Sequence, residues 1–222
     1  MIIYIPIKEN SQRVPKKNFR EFDGKPLWEH TIDKLKDFQV VVDTDSHDII
    51  RQCIDKKWVM CYYRPYALQG DDVSVVDLIK NYFCKTTAGT DYTDDDWICQ
   101  IHVTSPFLKV EHLESLKEEI KESKHDSIFS VDVIQNRFWR DEEYGLAPIN
   151  HNPMILEQTQ DLPKYYMENS YLYLFKKSVL KYGNRIGKNP KVLPIEFPYN
   201  LDIDTEQDWN LVKTLENYGT NN

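Results

Sequence analysis

The feature that most constrains the fold of this chain is an alternation of short, β-branched apolar runs with helical patterns. Residues 2–7 form a nearly continuous apolar run, which is typical of a strand buried on both faces. Further strands are predicted at residues 40–42, 58–62, 97–102 and 127–133, with helices at residues 26–35, 46–56, 73–85 and 110–124. Strands that alternate with helices predict an α/β fold with a mostly parallel sheet covered on both faces.

The alternation breaks between residues 134 and 170, a stretch rich in Asn, Gln and aromatic residues with no clear period. A structureless loop of this length is improbable in a compact domain, so we interpret it as an excursion from a single domain of residues 1–222 that is stabilised by contacts outside the main core. Strands are predicted again at residues 171–175 and 194–197, and Thr205 is expected to cap a last helix. The inward face of that helix consists of Trp209, Leu211, Val212 and Leu215.

Composition excludes several classes of protein. Lys and Arg number 28 against 36 Asp and Glu, and the net charge of −8 argues against a general nucleic-acid or anionic-membrane binder. No apolar run approaches the ~18 residues of a membrane span, and the first residues are too short for a signal peptide. Cys53, Cys61, Cys84 and Cys99 form no C-x-x-C pair, which favours buried, reduced thiols in a cytoplasmic protein.

A basic loop follows the first predicted strand. It runs from Lys8 to Asn18 and includes Ser11, Arg13 and Lys17. In parallel sheets, ligands bind at the carboxyl ends of the strands, and side-chain charges with backbone N–H groups there could hold a triphosphate. The loop is not a Walker A loop, and its charge alone fits a solvated surface loop equally well.

Two pairs of carboxylates are candidates for a metal site. Asp202 and Asp204 stand two positions apart, so in extended backbone both side chains point to one side, where Mg²⁺ could bind together with substrate phosphates. The same residues could form a polar turn ahead of the capped helix. Asp43 and Asp45 form a similar pair, although Asp45 could simply open the next helix. His102 ends the 97–102 strand, a position that suits either a structural or a binding role.

Six segments in fixed order carry a family resemblance. They are residues 5–18, 24–27, 64–65, 104–107, 168–170 with Tyr173, and 202–205. Taken together they resemble the CMP-sugar synthetases, specifically the acylneuraminate cytidylyltransferases. The resemblance covers nearly the whole chain and implies a Rossmann-like nucleotidyltransferase fold. It also implies a homodimer, in which the excursion at residues 134–170 is a protruding dimerisation arm.

The resemblance also implies roles for individual residues. CTP would bind at Lys8, Ser11, Arg13, Lys17, Asn18 and Arg64, Mg²⁺ at Asp202 and Asp204, and an acidic sugar at His102, Thr104, Asn169 and Tyr173. Lys17, Asp202 and Asp204 would be catalytic. The implied reaction transfers CMP from CTP to a sialic-acid-like nonulosonic acid and releases pyrophosphate.

The chain departs from the family pattern at several positions. Lys8 stands where an arginine is frequent and keeps the charge without the bidentate fork. Gln12 and Ser170 replace a frequent lysine and glycine, and His102 a frequent glutamine. An arginine often found upstream of Asn169 is missing, so no residue is assigned to the acceptor's carboxylate.

Three alternatives remain open at this stage. The acceptor could be a Kdo-type sugar or a phosphonate, although Asn18 favours the nonulosonate branch of the family. Asp202 and Asp204 could be the D-x-D motif of a metal-dependent glycosyltransferase, a motif that normally follows a strand in the middle of the chain. The chain could also be a catalytically inactive nucleotide-binding relative, as the departures at Lys8, Gln12 and His102 suggest.

Overall fold

A seven-stranded sheet forms the centre of the computed structural model, which describes residues 1–216. The strands are β1 (Ile2–Ile7), β2 (Glu21–Phe22), β3 (Lys25–Pro26), β4 (Gln39–Thr44), β5 (Val59–Tyr63), β6 (Trp97–Ile101), β7 (Ser127–Ile134), β8 (Trp139–Glu142), β9 (Gly145–Pro148), β10 (Tyr165–Lys176) and β11 (Pro190–Pro194). The helices are α1 (Leu27–Asp33), α2 (His47–Cys53), α3 (Val75–Lys85), α4 (Thr87–Thr90), α5 (Val110–Glu119) and α6 (Glu206–Leu215).

The central sheet is mostly parallel, as predicted. Its order is β11-β7-β10-β6-β1-β4-β5, while β2 pairs with β3 and β8 pairs with β9 in two small hairpins. Within the central sheet β10 alone runs antiparallel to both of its neighbours, β6 and β7. The N-terminal end of β10 therefore lies at the same edge as the carboxyl ends of β1 and β6.

Both faces of the sheet are buried, which explains the unbroken apolar run of β1. Ile3 and Ile5 point to a core shared with Trp28 of α1, whereas Tyr4 points to a second core with Phe83 of α3. A strand with apolar partners on both faces has no polar alternation in its sequence. The first strand was therefore predicted with its observed limits.

Several predicted limits differ from the structure. The strand predicted at residues 194–197 lies at Pro190–Pro194, and α5 ends at Glu119 instead of residue 124. Leu211, expected to face inward, is 41% exposed, and Cys84 is exposed rather than buried. These elements lie at the edge or surface of the domain, where the apolar pattern is weakest.

The predicted caps of α2 and α6 have different outcomes. Ser46 occupies the N-cap position of α2, but its side chain makes no capping hydrogen bond. Thr205 does cap α6: its Oγ1 accepts a hydrogen bond from the backbone N–H of Asp208 at 3.2 Å, and the Asp208 carboxylate accepts one from the backbone N–H of Thr205 at 2.7 Å. This reciprocal capping box fixes the start of the helix immediately after Asp204.

The excursion is shorter than predicted, because its last residues already belong to β10. Residues 165–168 pair with β7, and an irregularity between Glu168 and Tyr173 then shifts the register. Residues 135–164, which we call the arm, contain the β8–β9 hairpin. Large apolar side chains are exposed on the arm: Trp139, Tyr144, Leu146, Ile149, Met154, Ile155 and Leu156.

Among residues 1–216, no helix combines the length and the apolar character needed to cross a membrane.

Candidate active site

A cleft of about 550 Å³ opens at the carboxyl ends of β1, β5 and β6. Nearly all the side chains singled out from the sequence line it, although they come from distant parts of the chain. The residues predicted to bind CTP that line the cleft are Lys8, Ser11, Arg13, Lys17, Asn18 and Arg64. Asp202 and Asp204 line it as well, and so do His102 and Thr104 from the predicted sugar set.

The basic loop and the carboxylate pair face each other across this cleft. Arg13 Nη2 lies 2.7 Å from Asp204 Oδ1, and Lys17 Nζ lies 3.6 Å from the same oxygen. Lys17 also donates a hydrogen bond to the carbonyl of Ile203. The fold therefore joins residues almost two hundred positions apart into one charged site.

Local contacts hold the basic loop in this position. The Asn18 side chain donates to the carbonyl of Lys8 at 2.8 Å and so closes the loop on itself. The backbone N–H of Glu9 donates to Asp45 Oδ1 at 2.7 Å, which ties the loop to the end of β4. Asp45 is thus engaged in supporting the loop, and the alternative metal pair with Asp43 is not formed.

Asp43 is instead part of a buried ion pair. Arg64 Nε lies 2.7 Å from Asp43 Oδ1, both side chains are almost fully buried, and the hydroxyl of Tyr4 also donates to Asp43. Burial raises the pKa of Asp43, and the charge of Arg64 opposes that shift. Arg64 Nη2 also donates to the backbone carbonyl of Asp43 at 3.0 Å, so the guanidinium is held rigidly in the wall of the cleft.

The segment with Asp202 and Asp204 is positioned by the residue between them. Ile203 is fully buried in a small core with Leu27 and Val212, and its backbone N–H donates to the carbonyl of Thr104 at 3.0 Å. With Ile203 anchored inward, both carboxylates reach the cleft, as the spacing predicted.

The donor set fits a divalent cation. Asp202 Oδ1 is buried and has no hydrogen-bond partner within residues 1–216, and an unpaired buried carboxylate oxygen is costly unless a cation binds it. Nowhere in that part of the chain do three or more acidic, histidine or cysteine side chains converge as a metal cluster. A cation held by Asp202 and Asp204 would therefore complete its coordination with phosphate oxygens and water, as Mg²⁺ does in nucleotide sites.

An acidic side chain that sequence reasoning missed contacts the opposite rim of the cleft. Lys8 forms an ion pair with Asp71 and donates to the carbonyl of Gly70 at 3.2 Å, and Gln12 also donates to Asp71. The hydrogen bond from Lys8 lowers the pKa of Asp71. No local pattern in the sequence indicates this contact, since it joins two loops separated by more than sixty residues.

The predicted sugar-binding residues divide into two groups. His102 lies on the cleft wall, and burial lowers its pKa against the opposing charge of Asp202. Asn169 and Tyr173 do not line the cleft, although Ser170 between them does. Asn169 donates to Asp132 Oδ1 at 2.8 Å, and the hydroxyl of the buried Tyr173 donates to Glu168.

Two further polar residues behind His102 were missed from the sequence. Gln100 is fully buried in β6, and its Nε2 lies 2.7 Å from His102 Nε2. Arg185 donates to Gln100 Oε1, and its Cζ lies 3.6 Å from the centre of the Tyr173 ring. The glutamine within the apolar run of residues 97–101 was a usable signal, since a buried amide needs polar partners.

Comparisons with known proteins show which family the chain belongs to. A family model described as cytidylyltransferase matches residues 2–219. N-acylneuraminate cytidylyltransferase A of Danio rerio is 29% identical over 208 residues, which cover 90% of this chain and 46% of that protein. The chain thus spans about half the length of that relative. Pseudaminic acid cytidylyltransferase of Campylobacter jejuni subsp. jejuni (serotype O:2) is 25% identical over 95% of this chain and 94% of its own length.

Solved structures share the fold. A CMP:2-keto-3-deoxy-manno-octonic acid synthetase complexed with CTP superposes with a TM-score of 0.64 at 15% identity, covering 98% of each chain. This likeness confirms the Rossmann-like nucleotidyltransferase architecture expected from the resemblance. The match of the family model over almost the entire sequence, together with this architecture, shows that the chain belongs to the cytidylyltransferase family.

Proposed function

We propose that this chain transfers CMP from CTP to the anomeric hydroxyl of a sialic-acid-like nonulosonic acid and releases pyrophosphate. The observation that carries the proposal is the pairing of Arg13 and Lys17 with Asp204 across one cleft, beside the unpaired oxygen of Asp202. The names of the Danio and Campylobacter relatives support the choice of acceptor, since one names N-acylneuraminate and the other names pseudaminic acid, and both compounds are acidic sugars of the nonulosonic type.

The cations of the cleft suit a triphosphate. In-line attack on the α-phosphate requires little covalent work from the protein, so positioning and electrostatic stabilisation dominate. Lys8 and Arg13, now paired with Asp71 and Asp204, would turn to phosphate oxygens when CTP binds. Lys17 is mostly buried and hydrogen-bonded to Ile203, so its ammonium stays in place to stabilise the charge that develops on the leaving pyrophosphate.

Asp202 and Asp204 would hold Mg²⁺. When bound, this ion neutralises phosphate charge and lowers the pKa of a coordinated hydroxyl group. The two aspartates provide the negative charge that attracts the ion, while the buried position of Ile203 keeps their carboxylates aimed into the cleft.

Asp202→Ala tests this assignment. We expect the variant to lose about 100-fold or more in kcat, as sites do when a group that stabilises transition-state charge is removed. Its melting temperature should not fall, because Asp202 Oδ1 has no protein partner to lose within the described residues. Asp55→Ala, at an exposed carboxylate outside the cleft, is the matched control. Near-normal turnover in Asp202→Ala would contradict the metal assignment.

The acceptor is tested directly by incubating the protein with CTP, Mg²⁺ and separate acids. We expect pyrophosphate release, and a CMP-sugar detectable by mass spectrometry, with nine-carbon nonulosonic acids. Turnover with an eight-carbon octulosonic acid or a phosphonate alone would reassign the acceptor. Tight CTP binding without pyrophosphate release from any acceptor would indicate an inactive relative.

We further propose that the chain is a homodimer and that the arm forms part of the interface. Exposed apolar side chains are concentrated on the arm, where Tyr144 and Leu156 are 95% and 91% exposed, and such patches mark protein interaction surfaces. Sedimentation velocity should give twice the mass of one chain.

We also propose a cytoplasmic location. The four free cysteines support it, because thiols persist in a reducing compartment, and cell fractionation tests it.

A further inference from the structure

Arg185 is a partly buried cation that forms no salt bridge within residues 1–216, although the carboxylate of Glu168 is near enough to act on its charge. It lies between the short helical segment that ends at Tyr182 and strand β11, and no carboxylate within residues 1–216 approaches it closely enough for a salt bridge. Glu168, a nearby carboxylate, is hydrogen-bonded to the hydroxyl of Tyr173 at 2.7 Å. Burial lowers the pKa of Arg185, and the negative charge of Glu168 opposes that shift.

The guanidinium is nevertheless held in one place. Its Cζ lies 3.6 Å from the centre of the Tyr173 ring, a separation typical of a cation stacked on an aromatic face. Nη1 donates to Gln100 Oε1, so most of the five donors of the group remain for other partners. A planar, preorganised guanidinium with donors to spare is suited to a carboxylate, which it can bind through two parallel hydrogen bonds.

A row of hydrogen bonds connects Arg185 to the cleft. Gln100 accepts from Arg185 through Oε1, so its Nε2 faces His102, at 2.7 Å from the ring nitrogen Nε2. His102 is on the cleft wall next to Thr104 and near Asp202. Arg185 does not itself line the cleft; it lies behind His102, on the side of the cleft where the acceptor is expected and on the same face of the sheet as Tyr173.

We propose that the guanidinium of Arg185 binds the carboxylate of the acceptor acid, with the Tyr173 ring and Gln100 holding the guanidinium in position. The inference rests on the proposed function and deepens it, because it assigns the acid group of the substrate to a residue of this same chain. The protein should then prefer a 2-keto acid to its uncharged derivative, because only the carboxylate of the acid neutralises the partly buried guanidinium.

The test compares wild type with Arg185→Gln and Arg185→Lys, each assayed by pyrophosphate release with CTP and a nonulosonic acid or its carboxamide. In Arg185→Gln we expect the KM for the acid to rise about tenfold or more, with the KM for CTP within about twofold of wild type. The preference for the acid over the carboxamide should shrink by a similar factor. Arg185→Lys keeps the positive charge but loses the paired donors of the guanidinium. Its KM for the acid should therefore lie between the values of wild type and Arg185→Gln.

The controls separate recognition from folding. Arg51→Gln changes an exposed arginine of α2 that pairs with its neighbour Asp48 and lies outside the cleft, and it should leave both KM values unchanged. Retained CTP binding in Arg185→Gln, measured by calorimetry, shows that the fold is intact. An unchanged preference for acid over carboxamide in that variant would overturn the proposal while leaving the function standing. Absence of turnover in wild type with every nonulosonic acid would overturn the function, and this inference with it.

Discussion

His30 shows how a single residue makes stability depend on pH. It lies on α1 with the edge of its ring against Phe22, at 4.8 Å between ring centres, and its Nδ1 is buried without a hydrogen-bond partner in the described part of the chain. Burial and the charge of Lys34 lower the pKa of His30 to about 4, although the carboxylate of Asp23, 3.8 Å away, opposes them. The folded protein therefore keeps this histidine neutral.

The sign of the effect follows from this lowered pKa. Between about pH 6.5 and 4 the unfolded chain binds a proton that the folded chain does not, so stability is lost as the pH falls through this range. We expect the free energy of unfolding to fall by about 2 kcal/mol more in wild type than in His30→Gln between pH 7 and 5. Urea denaturation at both pH values measures this. Equal losses in the two proteins would show that His30 does not titrate differently on folding.

The residues of the site illustrate what a sequence reveals. Lys17, Asp202 and Asp204 could be found because Lys17 belongs to the basic loop after the first strand and the two aspartates form a short spaced pair. Arg185 could not be found, since nothing in its neighbourhood separates it from other surface arginines. Its significance depends on contacts with Tyr173 and Gln100, which only the folded chain brings together.

At the scale of elements, the loop between β5 and α3 makes polar contacts with the basic loop, and these contacts engage side chains that are proposed to bind phosphate. The carboxylate of Asp71 accepts hydrogen bonds from Lys8 and Gln12, two side chains that lie where the phosphate chain of CTP is expected. Under the proposed function, CTP would have to displace this carboxylate before it could reach Lys8. Because the pair is exposed, the cost of displacement is small.

Asp71→Asn should therefore strengthen CTP binding modestly. We expect the KM for CTP to fall roughly two- to fivefold with kcat nearly unchanged, since exposed ion pairs contribute little. Asp72→Asn alters the adjacent exposed carboxylate, which forms no ion pair with the basic loop within residues 1–216, and serves as the control. A higher KM in Asp71→Asn would mean that Asp71 assists CTP binding instead of competing with it.

The strands differ in how well the sequence predicted them. Strands β1, β4 and β6 are buried on both faces, so their apolar runs are unambiguous. The first half of β10 is exposed and carries polar and aromatic residues alike, and its register shifts before Tyr173, so half of the strand was assigned to the excursion. Its antiparallel direction was not predictable either, because direction depends on the path of the arm and not on local sequence.

At the scale of the whole molecule, the proposed dimer predicts that apolar side chains of the arm control self-association. We expect the double variant Leu146→Glu, Leu156→Glu to sediment as a monomer at concentrations where wild type is a dimer, because charged side chains at an apolar interface are costly. Ile54→Glu places the same charge on an 80% exposed apolar side chain outside the arm and should remain dimeric. A dimeric double variant would locate the interface elsewhere.

The reversed direction of β10 decides on which side of the sheet the arm emerges. Because β7 ends and β10 begins at the same edge, the arm leaves and rejoins the sheet at the edge where the cleft opens. A parallel β10 would instead have required the connecting segment to cross to the opposite edge. One inverted strand thus lets the chain extend outward beside the cleft without interrupting the strands that carry the basic loop and His102.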